Sequence, residues 1–244
     1  MVSGSVYETY LYLSKKKFAI QVIQVENIKI IYEKEILLEN NSNQLKLEDL
    51  QNFLDNNILK IEKILKQFVK DVFVILNSDE FFSVLLSIKN NNNGKTLSLE
   101  DLSYSLNEAR DQCKKTTEQK KIVHMLIKNY HIGNKDYSSL PENIKCDNFS
   151  LDIKFICLSN NLIKSLEKSF KRYHISINQI ISADYVENFF NDNSDIFKKT
   201  RKIIQGCNRN EVNFFSKKKK VRVFLRNFLI FSDKSVFSSN ICCF

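Results

Sequence analysis

The hydrophobic pattern in the N-terminal third of the chain changes from short apolar runs to one long amphipathic stretch and back. Three runs separated by short polar turns, at residues 10–13, 18–25 and 28–38, predict an antiparallel meander of strands. Residues 47–69 carry apolar side chains at helical spacing, which predicts a long helix. The unbroken apolar run at residues 72–76 predicts a buried strand. This order indicates an α/β fold that opens with three strands, a crossover helix and a fourth strand.

A second set of elements follows, in the order strand, helix, strand, strand, helix, strand. The helix that begins near Ser98 has a clear start signal, because a hydroxyl can accept hydrogen bonds from first-turn amides and the carboxylates of Glu100 and Asp101 suit the positive helix end. The pattern predicts strands at residues 81–88, 118–132, 149–157 and 175–181, and a second helix at residues 160–172.

The C-terminal part is more basic and less regular. A polar helix is expected after Val186, and residues 198–209 suggest no particular element. Residues 212–224 predict a strand, a tight lysine-rich loop and a strand, with a further strand at 228–231. A basic amphipathic helix over residues 221–231 is the alternative. We favour the hairpin because Val221 and Val223 alternate with polar residues.

Composition narrows the class of protein without naming a function. The chain has 244 residues, of which 43% are hydrophobic, so it can build a sizeable core. Its net charge of +9 suits an acidic partner such as nucleic acid or anionic lipid. An AT-rich genome also encodes abundant lysine, so we favour the interpretation that these lysines lie on solvated faces. The six cysteines form no C-x-x-C pair, which favours reduced thiols in the cytoplasm. We find no signal peptide and no apolar run of the ~20 residues that span a bilayer.

The ordered residues of the middle segment resemble the inserted domain of the FtsA family, the actin-like membrane tethers of the FtsZ ring in bacterial cell division. The positions in register are Glu100-Asp101, Ala109-Arg110, His124, Tyr130, Ile132 and residues 160–180, while Ile127-Lys128 departs from the family's Pro-Gln. The resemblance implies an α/β fold, with an actin-like (ribonuclease-H-like) lobe and an inserted strand-helix-strand-strand type domain. It implies boundaries of 1–78 for the first part of the lobe, 79–181 for the inserted interaction domain, and 182–244 for the return to the lobe and the first hairpin of a truncated second lobe.

The same resemblance locates two degenerate phosphate loops. Actin-like ATPases hold nucleotide between glycine-containing hairpins, whose amides approach the phosphates, and use aspartates to hold Mg²⁺. In this alignment the family's carboxylates and glycines are replaced and both loops are rich in lysine; the candidate positions are Tyr12, Ser14, Lys15, Asn213, Ser216, Lys217 and Lys220. We therefore expect a pseudo-ATPase without catalytic residues, metal or cofactor. ATP is the one cofactor such a fold could hold, and we do not expect it to bind.

Two further patterns leave alternatives open. The runs at residues 15–17 and 217–220 could face each other and trap an anion, or they could be charged hairpin tips in water, which we favour. His124, His131 and His174 lack the spacing of metal ligands, and the register of His124 with the family's histidine favours a packed structural residue.

The resemblance implies a cytoplasmic scaffold or adaptor. We expect contacts with FtsZ, other division proteins or another FtsA-like subunit through residues 79–181, at the inner face of the plasma membrane and with only indirect membrane contact. The chain ends before the rest of the second lobe and the membrane-binding helix of the family, so a truncated or interrupted gene is also considered.

Two alternatives remain: a basic nucleic-acid-binding module, which needs residues 15–17, 198–201 and 217–220 in one patch, and a residual ATP-binding protein.

Overall fold

Two β-sheets organise the chain. In this computed structural model, residues 6–38, 45–190, 192–217 and 220–225 are described, with side chains up to residue 212. The elements in chain order are β1 (Tyr7–Leu13), β2 (Lys17–Gln24), β3 (Lys29–Leu37), α1 (Leu47–Leu65), β4 (Asp71–Leu76), β5 (Phe82–Asn91), α2 (Leu99–Thr116), β6 (Lys120–Ile132), β7 (Lys135–Tyr137), β8 (Asn148–Ser159), α3 (Asn160–Lys171), β9 (Ser176–Ser182), α4 (Ala183–Phe189), α5 (Ile196–Ile204), β10 (Val212–Lys217) and β11 (Lys220–Leu225).

The first sheet has the strand order β3-β2-β1-β4-β9. Strands β1, β2 and β3 form an antiparallel meander, whereas β4 runs parallel to β1 and β9 runs parallel to β4. Helix α1 connects β3 to β4, and α3 leads into β9. A meander at one edge followed by parallel strands with crossover helices is the arrangement of an actin-like, ribonuclease-H-like lobe. The predicted fold class is therefore confirmed, as are the three opening strands, the crossover helix and the fourth strand.

Both faces of the first sheet are covered, because alternate side chains of its central strands point to opposite faces. Leu11 and Leu13 of β1 belong to a core that includes Leu54 of α1 and Leu166 of α3. The other face forms a second core, in which Tyr10, Tyr12, Phe73, Ile75, Phe197 and Ile203 bring together β1, β4 and α5. The lobe is thus a three-layer structure with helices on both faces of one sheet.

The second sheet is antiparallel, with the strand order β5-β8-β6-β7. Helix α2 packs on one face, where its Leu102, Leu106 and Ala109 join the apolar side chains of β6 and β8 in a third core. The predicted start of α2 is confirmed: Ser98 caps the helix in a capping box with Asp101. The opposite face carries more polar side chains and packs on the first lobe through residues that include Leu126, Ile156 and Leu158.

Residues 160–182 belong to the first sheet. The sequence-based boundary at 181 assigns α3 and β9 to the inserted domain, but β9 pairs with β4 and α3 packs on α1. An amphipathic helix and a half-buried strand fit either sheet, so the hydrophobic pattern does not reveal which layer receives them. The basic stretch without a predicted element forms α5, whose apolar face covers the first sheet.

The C-terminal hairpin is confirmed as β10 and β11, paired from Val212↔Leu225 to Lys217↔Lys220. It starts beside the second sheet, where the Ile127 amide donates to the Asn210 carbonyl at 2.9 Å. Residues 221–225 are strand rather than the alternative amphipathic helix. The rest of that helix, and the strand predicted at 228–231, lie outside the described residues.

Candidate functional site

The β1–β2 turn, predicted as the first phosphate loop, is closed on itself by Ser14. The Ser14 hydroxyl accepts hydrogen bonds from the amides of Lys16 at 3.3 Å and Lys17 at 3.0 Å, and the Ser14 amide donates to the Lys17 carbonyl at 3.0 Å. A phosphate loop needs such amides to point at the anion. Here the amides of Ser14, Lys16 and Lys17 already have acceptors within the turn.

The other predicted residues of this turn also have partners. The Lys15 ammonium contacts the Asp79 carboxylate, and the Lys17 ammonium lies 3.0 Å from a Glu35 oxygen. Tyr12, at the position of the family's carboxylate, is buried, and its hydroxyl accepts a 3.4 Å hydrogen bond from the Asn77 side chain. The turn therefore presents lysines that are at least partly neutralised by nearby carboxylates, although exposed pairs of this kind are weak.

The residues predicted for the second phosphate loop lie on the C-terminal hairpin. Asn213 faces Phe224, Ser216 faces Val221, and Lys217 faces Lys220 across β10 and β11. Their side chains are outside the described residues, so whether the two lysine runs face each other stays a prediction. The backbone places β10 against β6 and β11 against α2, both parts of the second sheet's layer.

The basic run at residues 198–201 does not form the surface patch that nucleic-acid binding needs. Lys199 and Arg201 are both buried. The Lys199 ammonium donates to the Asp192 carbonyl at 2.5 Å, and Arg201 Nε donates to Glu8 Oε2 at 3.1 Å. The apolar face of α5 covers the first sheet, and this packing turns Lys199 and Arg201 toward the lobe. Most of the positive charge of the run is therefore paired within the protein.

A buried polar network joins the two sheets at the base of the candidate site. His124 on β6 places Nδ1 2.9 Å from Glu211 Oε1, and Tyr185 on α4 donates its hydroxyl to Glu211 Oε2 at 3.0 Å. The Asn208 amide donates to the Tyr185 hydroxyl at 2.7 Å. His124 and Glu211 are each 2% exposed, so this junction excludes water from two ionisable side chains.

The hydrogen bonds of His124 identify which of its two ring nitrogens carries the hydrogen. The Ser182 amide donates to His124 Nε2 at 3.1 Å, so Nε2 must be the unprotonated nitrogen. Nδ1 then carries the hydrogen and donates to Glu211. The His124 ring also packs on the Tyr185 ring, with centroids 4.7 Å apart. The expectation that His124 is a packed structural residue agrees with this geometry.

A cleft of about 460 Å³ opens beside this network, between the polar face of the second sheet and α4. Strand residues form one wall, α4 forms the other, and the segment before β10 closes one end. The residues that line it are Phe81, Phe82, Ser83, Leu126, Ile127, Lys128, Ser138, Lys154, Ile156, Ser182, Asp184, Tyr185, Asn188, Phe189, Asn208 and Asn210. The cleft therefore combines an apolar floor with a polar rim, as binding sites commonly do.

Charges of opposite sign stand on the two walls of the cleft. Lys128 and Lys154 project from β6 and β8, and Asp184 lies on α4. Within the described part of the chain, neither ammonium forms an ion pair. A segment lying in the cleft would find a cationic wall and an anionic wall with apolar contacts between them.

A polar ladder crosses the far end of the second sheet's open face. His131 on β6 places Nδ1 2.6 Å from Asp136 on β7 and Nε2 2.7 Å from Asp152 on β8, which also accepts from Ser87 on β5 at 2.5 Å. Hydrogen bonds to Asp152 and Asp136 raise the pKa of His131. Hydrogen bonds from Ser87 and His131 lower the pKa of Asp152. The ladder thus ties four strands together through a histidine that favours its charged form.

Across the described ranges, no three His, Cys, Asp or Glu side chains are grouped to hold a metal ion. None of the helices in that same part of the chain is long and apolar enough to cross a membrane.

Partial likenesses to this chain occur among solved structures. The cytoplasmic domain of EpsL, an inner membrane component of the type II secretion system of Vibrio cholerae, is 14% identical over 74% of this chain and 57% of its own, with a TM-score of 0.35. The PilM–PilN type IV pilus biogenesis complex is 5% identical over 76% of this chain and 50% of its own, with a TM-score of 0.46. A Bacteroides thetaiotaomicron protein of unknown function with an actin-like ATPase fold is 13% identical over 93% and 69%, with a TM-score of 0.34.

These likenesses concern the fold alone. This chain spans 57% and 50% of the lengths of the first two structures. No family model matches the sequence, and neither does any curated protein. The strand order of the first sheet, rather than any of these scores, carries the assignment to the actin-like fold class.

The sequence pointed to one member of the cleft region and missed the others. His124 stands out in the sequence because it lies on an apolar strand in register with a histidine of the FtsA family. Glu211, Tyr185 and Asn208 lie up to 87 residues away along the chain and belong to no recognisable motif. The signal that the sequence offers for Glu211 is its position directly before the apolar start of β10. That position does not indicate that the Glu211 carboxylate is buried against a partner.

Proposed function

We propose that this chain is a protein-interaction module built on an actin-like lobe, and that the cleft between its two sheets docks an extended segment of a partner protein. The observation that carries the proposal is the cleft itself, with its apolar floor and its walls of opposite charge. A segment bearing an acidic residue toward Lys128 and Lys154 and a basic residue toward Asp184 would match these walls.

The packing around the cleft supports docking without a large rearrangement. The floor shares Leu126 and Ile156 with the core of the first lobe, and Tyr185 is fixed by hydrogen bonds to Glu211 and Asn208. A preformed site loses less conformational entropy when a ligand binds, which favours recognition of a flexible partner.

We further propose that the partner belongs to the bacterial division machinery, with FtsZ as the first candidate. This part of the proposal rests on the sequence resemblance to the FtsA family between residues 97 and 190. In that role the chain would act as a cytoplasmic adaptor at the inner face of the plasma membrane, in contact with FtsZ, other division proteins or another FtsA-like subunit.

We also propose that the chain works without ATP hydrolysis. The closed Ser14 turn supports this, since its amides are bonded within the turn and its Lys15 and Lys17 lie beside Asp79 and Glu35. A loop of this kind offers neither open amides for phosphate nor a carboxylate at position 12 for Mg²⁺.

Site-specific photo-crosslinking in the native cells tests the docking site. A photoreactive residue at Asn188, on the cleft wall, should capture one discrete partner, while the same residue at exposed Lys164 on α3 serves as the control. Reversing the cationic wall with Lys128→Glu and Lys154→Glu should reduce the Asn188 product by about tenfold or more, because like charges then meet.

The identity of the crosslinked protein separates the two parts of the proposal. FtsZ or another division protein in the product supports the division role. A different single partner refutes that role and leaves the docking site standing. Equal products from Asn188 and Lys164, or a product unaffected by the charge reversal, contradict the docking site.

A further inference from the structure

The outer edge of β5 is long, regular and open. Strand β5 has ten residues, pairs with β8 without a bulge from Phe82↔Cys157 to Asn91↔Asn148, and ends the strand order of its sheet. Among the described residues, no backbone hydrogen bond reaches its outer side. Proteins usually protect such an edge with a bulge, a proline or several charges, and this strand offers only Lys89.

The side chains of β5 are incompletely covered on both faces. Leu85, on the open face, is 74% exposed. Phe82, Val84 and Leu86 point toward the core under α2 but are only half-buried there. An added strand would cover apolar surface on both sides of the sheet, which favours its binding.

The sequence of β5 is self-complementary in the antiparallel direction. If Leu85 faces Leu85 of a second copy, then Val84 faces Leu86, Ser83 faces Ser87 and Phe82 faces Ile88. Every pair within residues 82–88 matches apolar with apolar or hydroxyl with hydroxyl, and no like charges meet. Moving the centre by one residue, to Leu86, places Ser83 against Lys89 and Leu85 against Ser87, so the match is specific to Leu85.

We propose that β5 is a dimerisation strand, through which two copies of this chain join their second sheets into one antiparallel eight-stranded sheet. Each copy uses the same edge, so the assembly has two-fold symmetry and closes at two chains. A single strand edge makes a small interface, so the dimer forms reversibly and depends on concentration. This proposal does not rest on the docking function of the cleft, although Phe82 and Ser83 of β5 also line the cleft.

Sedimentation equilibrium of the full-length chain tests the proposal through charge substitutions at Leu85. Leu85→Glu and Leu85→Lys each place two like charges opposite each other at the symmetry axis, and each should weaken dimerisation by about tenfold or more. Leu59 on α1, 65% exposed and remote from β5 in the chain, gives the matched controls Leu59→Glu and Leu59→Lys, which should dimerise like the unsubstituted chain.

A mixture of the two Leu85 variants provides the decisive measurement. Glutamate on one chain and lysine on the other attract across the axis, so the mixture should dimerise although each variant alone does not. Circular dichroism verifies that both variants fold. The proposal is overturned if the unsubstituted chain stays monomeric at its highest soluble concentration. It is equally overturned if the Leu85 variants dimerise as well as the Leu59 controls, or if mixing them restores nothing.

Discussion

At the scale of single residues, the junction between the sheets depends on Glu211. Its two oxygens accept hydrogen bonds from the His124 ring and the Tyr185 hydroxyl, which come from β6 and α4. These side chains are buried, so the loss of one partner leaves a polar group with little access to water. One carboxylate therefore holds together elements that are far apart in the sequence.

Replacing Glu211 should destabilise the protein in proportion to the hydrogen bonds it loses. Glu211→Ala leaves the His124 N–H and the Tyr185 hydroxyl without this acceptor, and we expect a loss of about 3 kcal/mol in the free energy of unfolding. Glu211→Gln retains an acceptor for His124 and should lose less than half of that. Urea denaturation measures both.

Glu187→Ala is the matched control, since Glu187 is exposed on α4 and its removal should change stability by no more than about 0.5 kcal/mol. If Glu211→Ala were as stable as this control, the network would not be what joins the sheets.

At the scale of elements, the ladder through His131 couples the stability of the second sheet to pH. The neighbouring carboxylates raise the pKa of His131 in the folded protein. The stabilising contribution of His131 is therefore fully present below its unfolded pKa of about 6.5 and is lost as pH rises through the folded value. The pKa of Asp152 is lowered in the folded protein. Its contribution to stability is therefore lost at acidic pH, as the pH falls through the pKa of Asp152 in the folded state.

The free energy of unfolding should therefore fall as the pH rises from about 6.5 upward through the neutral range, and His131→Asn should flatten that slope. The control is His174→Asn, because His174 is exposed and has a φ of 58°, a conformation that asparagine tolerates. Urea titrations across this range measure the slopes. An unchanged slope in His131→Asn, or a flattened slope in the control, would show that the ladder does not set the pH dependence.

Local signals in the sequence determined most elements but not their assembly. Ser98, Glu100 and Asp101 predicted the start of α2 because capping and the helix dipole act within the first turn, and the alternation of β8 predicted its buried face. The sheet that receives β9 depends on contacts with β4 and α1 that no local pattern encodes. For the same reason the sequence does not predict α5. Its basic residues interrupt the hydrophobic pattern, and its apolar side chains are recognisable as a buried face only from their packing on the first sheet.

At the scale of the whole molecule, the lobe and the inserted sheet form one unit around the cleft. The fold class was predictable because strand order follows from the succession of strands and crossover helices. Beside the candidate site, the sequence predicted His124 only as a packed structural residue, and Glu211, Tyr185 and Asn208 could not be predicted because they converge from separate segments. We propose that this actin-like lobe docks a protein segment and does not bind nucleotide.

Isothermal titration of the purified full-length chain with ATP and Mg²⁺ tests that claim most directly. The closed Ser14 turn predicts no binding heat and no thermal stabilisation at nucleotide concentrations that saturate an active actin-like ATPase. A parallel titration of Ser14→Gly shows whether opening the turn is enough to admit phosphate. Clear binding by the unsubstituted chain, lost on changing Ser14 or Lys220, would contradict the account and make the protein a nucleotide-binding member of its fold class.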